Sequence, residues 1–221
     1  MKSTIFIPFL LLPVILNAYA FDLGIQLNNT TNFANVQGVT NSRATGFGFG
    51  SGIFSLFPVN DKFKTGISIQ YTGYNYNFSD ITFTNTTVYY QLHVSNLTTE
   101  LLTTYSLPPY ESFIPVFQAG FMINYGISGK YFSNISAGRT TTITSLTKND
   151  LNTDVLLDAG FLMRYKTSLY DRTLYVSPAI NLIYNLTGSG SHVGYINLNY
   201  SPNLTIMLNL KISMPMQIEN Q

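Results

Sequence analysis

Side chains able to do chemistry are few in this sequence, and their spacing does not suit it. His93 and His192 are its two histidines and it has no cysteine, so a zinc ion would have to draw its other ligands from distant carboxylates. A Ser/His/Asp triad is available by count alone, without a G-x-S-x-G elbow. Glycines alternate at 46, 48, 50 and 52, but a phosphate-cradling loop needs G-x-G-x-x-G spacing and a following helix pattern, and this stretch has neither. We therefore assign no catalytic, metal-ligating or cofactor-binding residue and expect a non-enzymatic chain without a cofactor.

The charges are more informative. Lys64, Glu100, Asp158, Arg164 and Lys211 each hold a polar position in a stretch where apolar and polar residues take turns, with Asp22 and Asp154 nearer the ends of such stretches. Successive side chains of a strand point to opposite faces, so these charges all belong on the polar face. If that face is enclosed they must find partners, because an unpaired buried charge is costly. We expect Glu100 and Asp158 to pair with Lys64, Lys211 or Arg164 and to plug the interior; a proton or ion pathway is the sharper alternative.

Eight alternating segments supply these positions: 21–28, 46–57, 63–76, 97–107, 113–131, 152–165, 173–186 and 204–214. In the third, Thr65, Ile67, Ile69 and Tyr71 oppose Lys64, Gly66, Ser68, Gln70 and Thr72. In the fifth, Phe117, Ala119, Phe121, Ile123 and Tyr125 oppose Gln118, Gly120, Met122, Asn124 and Gly126. An extension through 88–94 is expected to stand beyond the membrane. Short connections (58–62, 108–112, 166–172) alternate with long ones rich in Asn, Thr, Ser and Gly (29–45, 77–87, 132–151, 187–203), as an up-and-down barrel with one short-turn end requires. Phe57, Phe63, Tyr71, Phe113, Tyr125, Tyr165 and Tyr184 are candidates for interfacial girdles. The alternating glycines would let the wall bend and leave lumen space for Tyr, Gln or Met from opposite strands.

At the start of the chain, Lys2 is followed by an apolar run over 5–16 and then by Asn17, Ala18, Tyr19 and Ala20. This pattern predicts an export signal, 1–20, cleaved after Ala20; the run is too short for a helix across a hydrocarbon core of roughly 30 Å. The remainder, 21–221, is expected to be one domain. Charged residues make up 10% of the chain and aromatics 14%, against a charged share of about 25% in soluble domains. That balance suits a wall facing lipid outside and a lumen lined by Asn, Thr, Ser and Tyr, and a soluble Asn/Thr-rich β-sandwich is the alternative. Without Lys2 the 11 basic residues become 10 against 10 acidic ones, which gives nucleic acid nothing to bind. Nine Asn-x-Ser/Thr sequons, at Asn28, Asn29, Asn77, Asn85, Asn96, Asn134, Asn185, Asn199 and Asn203, are what chance yields in so Asn- and Thr-rich a chain.

The glycine stretch at 46–52, the Phe57-Pro58-Val59-Asn60-Asp61-Lys62 turn, the strand at 65–74, the stretch at 97–108, Gln118-Ala119-Gly120-Phe121 and Asp158-Ala159-Gly160-Phe161 resemble the outer-membrane β-barrel domain family of PorT-like and OmpX-like eight-stranded barrels, over 21–214. The resemblance implies an all-β, eight-stranded antiparallel up-and-down transmembrane β-barrel of the bacterial outer membrane, and it carries over no catalytic residue. Many such proteins end in an aromatic, whereas this chain continues to Glu219, Asn220 and Gln221. Expected partners are outer-membrane lipid and an extracellular or periplasmic protein met through the long loops, in an envelope, surface or secretion-related role. A small-solute channel or transporter, or an outer-membrane hydrolase, is the alternative.

Overall fold

The computed structural model describes residues 20–37, 43–81, 87–135, 141–146, 151, 153–187, 191–192 and 199–217. Its strands are β1 (Ala20–Gln37), β2 (Arg43–Pro58), β3 (Phe63–Ile81), β4 (Thr87–Ser106), β5 (Phe113–Ile135), β6 (Thr141–Leu146), β7 (Thr153–Leu169), β8 (Arg172–Asn185), β9 (Ser191–His192) and β10 (Asn199–Gln217). Eight of them pair antiparallel in the order β1-β2-β3-β4-β5-β7-β8-β10, and β10 closes onto β1 from Ala20↔Gln217 to Gln37↔Asn199. The fold is thus an eight-stranded antiparallel up-and-down barrel. β6 is an added strand on the upper part of β5, and β9 is one on β10. Closure leaves the wall without an edge, the condition for burying backbone polar groups in hydrocarbon.

Alternation fixes which side each residue takes, and it does so with the polarity inverted relative to a soluble protein. Leu23, Ile25 and Leu27 on β1, Ile67 and Ile69 on β3, Phe117 and Phe121 on β5, and Leu208 and Leu210 on β10 all lie exposed, while Gln26, Asn28, Ser68, Gln70, Gln118 and Asn209 are buried. The outward apolar run on β10 from Leu204 to Met214 covers about ten residues; at ~3.3 Å per residue and a tilt near 40° it stands roughly 25 Å tall. At the short-turn end of the belt aromatic rings meet in pairs: Phe63 with Tyr105 at 4.7 Å, Phe113 with Tyr165 at 5.7 Å, and Phe21 with Phe57 at 5.7 Å between centroids. Tyr71, Tyr125 and Tyr184 stand exposed toward the other end.

The strands run further than hydrophobic alternation indicated, and the expected long connections shrink accordingly. β1 and β2 leave only 38–42 between them, β3 and β4 leave 82–86, and the 132–151 connection is partly β6. The stretch 88–94 belongs to β4. Its inward residues Val88, Tyr90, Leu92 and Val94 are apolar, whereas Asn96, Thr98 and Glu100 on the same face below them are polar. Above this change Gln91 and His93 face outward together with Tyr89, so the outward face of β4 turns from apolar to mixed at the level of Val94 to Asn96. Ile127 is the extra residue of a bulge here, since Ser95 pairs with Ser128 and Asn96 with Gly126. The shift keeps Tyr131 facing inward, where it joins Tyr76, Val88, Tyr90, Leu92, Val94, Leu146 and Leu151 in an apolar cluster.

Two local features shape the other end. Asn60 Oδ1 accepts from the amides of Lys62 and Phe63, both at 2.9 Å, and so ties the 59–62 turn. The expected 166–172 turn narrows to Tyr170 and Asp171, with φ of 49° and 61°. Within the wall, Gly24 is obligatory: a Cβ there would lie 2.5 Å from the Phe54 ring. At Gly46, Gly48, Gly50 and Gly52 the side chains nearest to an added Cβ belong to adjacent strands: Tyr76, Thr30 and Tyr74, Asn28, and Gln70. On β8, Pro178 has no N–H for the ladder, and pairing with β7 lapses between Leu162↔Ala179 and Tyr165↔Val176.

Candidate functional site

The barrel interior gathers all five charges that the alternation placed there, in two groups. In the lower group Asp22 accepts from Lys64 Nζ at 2.7 Å and lies 3.6 Å from Arg164 Nη2. Arg164 also rests over the Tyr175 ring, 5.2 Å from its centroid. Lys64 is the wettest of the three, consistent with a position near the rim.

The upper group is organised by an uncharged residue. Gln118 Nε2 donates to Glu100 Oε1 at 3.1 Å and to Asp158 Oδ2 at 2.6 Å, and Gln118 Oε1 accepts from Lys211 Nζ at 2.5 Å. Glu100 Oε2 accepts from Ser68 at 2.8 Å, and both oxygens of Asp158 accept from Asn181 Nδ2 at 2.9 and 2.8 Å. Lys211 Nζ further lies 5.5 Å above the Phe54 ring. Glu100 and Asp158 are 1% and 0% exposed. Their contact with a cation runs through an amide, and the ion pairs within 4 Å among the described residues go to Asp22 instead.

Layers above and below complete the filling. Phe54, Leu56 and Leu102 form an apolar layer on one side of the network. On the other, Asn28 donates to Gln70 at 2.7 Å, Thr98 to Asn124 at 2.7 Å, and Thr205 to Asn32. Beyond these lies a chamber of about 20 Å³, room for one or two waters, lined by Asn96, Asn124, Asp154, Asn185 and the cluster residues Tyr76, Val94 and Leu151. Among the described residues, these layers fill the interior with packed and hydrogen-bonded side chains, which can hold the wall rigid.

Alternation identified the charged members by residue number. Gln118 and Ser68 it placed inward without a role, because residue type alone cannot distinguish a bridging amide from a neutral lining. Asp22, expected as a rim residue, proves to be the ionic hub of the lower group. Of the histidines, His93 stands outward on β4 with its ring 5.0 Å from Phe132, and His192 lies on β9. Asn28, Asn96 and Asn185 are buried in the lumen, so these three sequons cannot carry glycans. Of the expected export signal, 1–20, only Ala20 is described, as the first residue of β1; residues 1–19 lie outside the described residues.

No family model matches the chain, and no curated protein matches it. Among solved structures it is similar to neisserial surface protein A, at 12% identity over 87% of this chain and 96% of that one, with a TM-score of 0.43. It is similar to the translocator domain of the autotransporter NalP from Neisseria meningitidis, at 9% identity over 94% and 93%, with a TM-score of 0.44. A third similar structure is the outer membrane protein OprG from Pseudomonas aeruginosa, at 12% identity over 91% and 97%, with a TM-score of 0.40. Similarity at this level carries no information on role.

Proposed function

We propose that the chain is an integral, non-enzymatic β-barrel of a bacterial outer membrane, whose strands continue past the bilayer to present a surface for contact with other molecules. The observation that carries this reading is the inverted wall: a continuous coat of exposed Leu, Ile, Phe and Tyr around a buried polar interior. Soluble proteins do not leave so large an apolar surface bare, and lipid is the partner that matches it on all sides. Above Val94 to Asn96 the outward face of the wall becomes mixed, with Asn75, Gln91, His93 and Lys130 beside Phe47 and Tyr89. There β6 carries Ile143 at 61% exposure beside exposed Thr144 and Ser145, a strand open to a partner. Kinship with PorT-like barrels in particular belongs to this proposal and rests on the short motifs quoted above.

Envelope fractionation followed by electrophoresis with and without boiling tests the reading. The chain is expected in the outer-membrane fraction, with an unboiled band displaced from the boiled one; a folded chain in detergent-free buffer would overturn it. Protease added to intact cells is expected to cut within 132–151.

A further inference from the structure

A notch interrupts the outer wall where its coat changes from apolar to mixed. Gly73 faces outward on β3, and a Cβ there would meet nothing within 4 Å. Register sets its neighbours. Phe49 and Ser95 flank it on β2 and β4; Phe47, Asn75 and His93 form the row above, and Ser51, Tyr71 and Leu97 the row below. The opening measures about 470 Å³. Its walls are the rings of Phe47, Phe49 and Tyr71, at 59%, 63% and 51% exposure.

The upper row ends on a charge. His93 pairs across the ladder with Lys130 of β5, which is exposed. Among the described side chains, the other exposed cations, Lys62, Lys166 and Arg172, lie at the short-turn end, and Lys64, Arg164 and Lys211 point into the lumen. Among the described side chains Lys130 is therefore the outward cation of this end, one strand beyond His93 on the notch's upper row.

We propose that the Gly73 notch seats one anionic lipid of the surrounding leaflet, with an acyl chain laid over Phe49 and Tyr71 and the headgroup held at Asn75, His93 and Lys130. Both halves of an amphiphile find their match across four neighbouring strands, β2 to β5, roughly 14 Å at ~4.8 Å per strand: the rings of Phe49 and Tyr71 on the belt side, donors and a cation on the water side. The notch is continuous with the lipid-facing belt, which is why a membrane lipid is its occupant and a soluble anion is not. This inference rests on the membrane-spanning reading.

The test uses the full chain folded into phosphatidylcholine vesicles that contain a minor share of phosphatidylglycerol, followed by native mass spectrometry of lipids retained on the released barrel. Retained phosphatidylglycerol is expected at about fivefold over its share, the excess one lysine at an anionic surface supplies. Gly73→Phe fills open space, keeps the displaced unboiled band and abolishes the excess; Lys130→Gln removes most of it. Retention at the bulk share in the unsubstituted chain, or an excess untouched by Gly73→Phe, overturns the notch while flotation with vesicles still upholds the spanning barrel. A chain that neither floats nor shows the displaced band overturns the spanning reading itself, and the notch with it.

Discussion

Gln118 gives each of its two N–H groups to a different carboxylate and its oxygen to an ammonium. Replacing it with Leu would leave Glu100 with Ser68, Asp158 with Asn181 and buried Lys211 without its acceptor, and breaking up buried charge of this kind costs about 3–5 kcal/mol. Glu100→Gln is milder, because the amide oxygen can still accept from Gln118 and its nitrogen can donate to Ser68; about 1 kcal/mol is expected, the worth of one buried hydrogen bond. Urea midpoints of the displaced unboiled band, measured in vesicles at constant slope, should fall for both and much further for Gln118→Leu. A reversed order would mean that direct charge attraction holds the network. The charged members were legible because strand parity and residue type both pointed inward. Gln118 was not, since a bridging amide is defined by partners on other strands: Glu100 and Asp158 on the two neighbouring strands and Lys211 on β10.

At the scale of the element, the barrel strands were legible where one side faces lipid and illegible where both ends of the alternation change meaning. β4 illustrates this: its inward face goes from Glu100 and Thr98 to Leu92 and Tyr90 without a change of parity, so a search for apolar-out alternation stops near Leu97 although the ladder continues to Thr87. Turn length was misjudged for a different reason. Tyr170 and Asp171 both adopt positive φ, the two-residue hairpin geometry normally marked by Asn-Gly, and neither residue announces it. Tyr in this conformation is strained by roughly 1 kcal/mol, and the side chain is 91% exposed with no packing to offset that. Tyr170→Asn with Asp171→Gly should therefore raise the urea midpoint by an amount worth about 1 kcal/mol. No gain, or a loss, would place the strain elsewhere in the hairpin.

For the whole molecule, the question is whether eight strands around a polar filling conduct. Sparse charge and abundant aromatics were enough to indicate a wall in lipid, but composition is silent on whether the lumen is open, since a channel and a plug use the same Asn, Thr and Gln. Geometry separates them. An ion moving along the axis meets Phe54, Leu56 and Leu102 in one layer, then the Gln118 network, then a chamber of about 20 Å³, then the cluster around Tyr90 and Tyr131. Apolar constrictions gate by excluding water, and the apolar clusters at Phe54 and around Tyr90 are joined inside the lumen by a third, of Met122, Ile183 and Met207. Planar bilayers containing the folded chain should give no discrete conductance steps. Removing the network alone, as in Gln118→Ala, should leave them silent as well, because the Phe54 layer and the upper cluster remain. Steps in the unsubstituted chain would overturn the sealed interior. Steps that appear only in Gln118→Ala would show that the hydrogen-bonded layer, and neither apolar one, is the barrier.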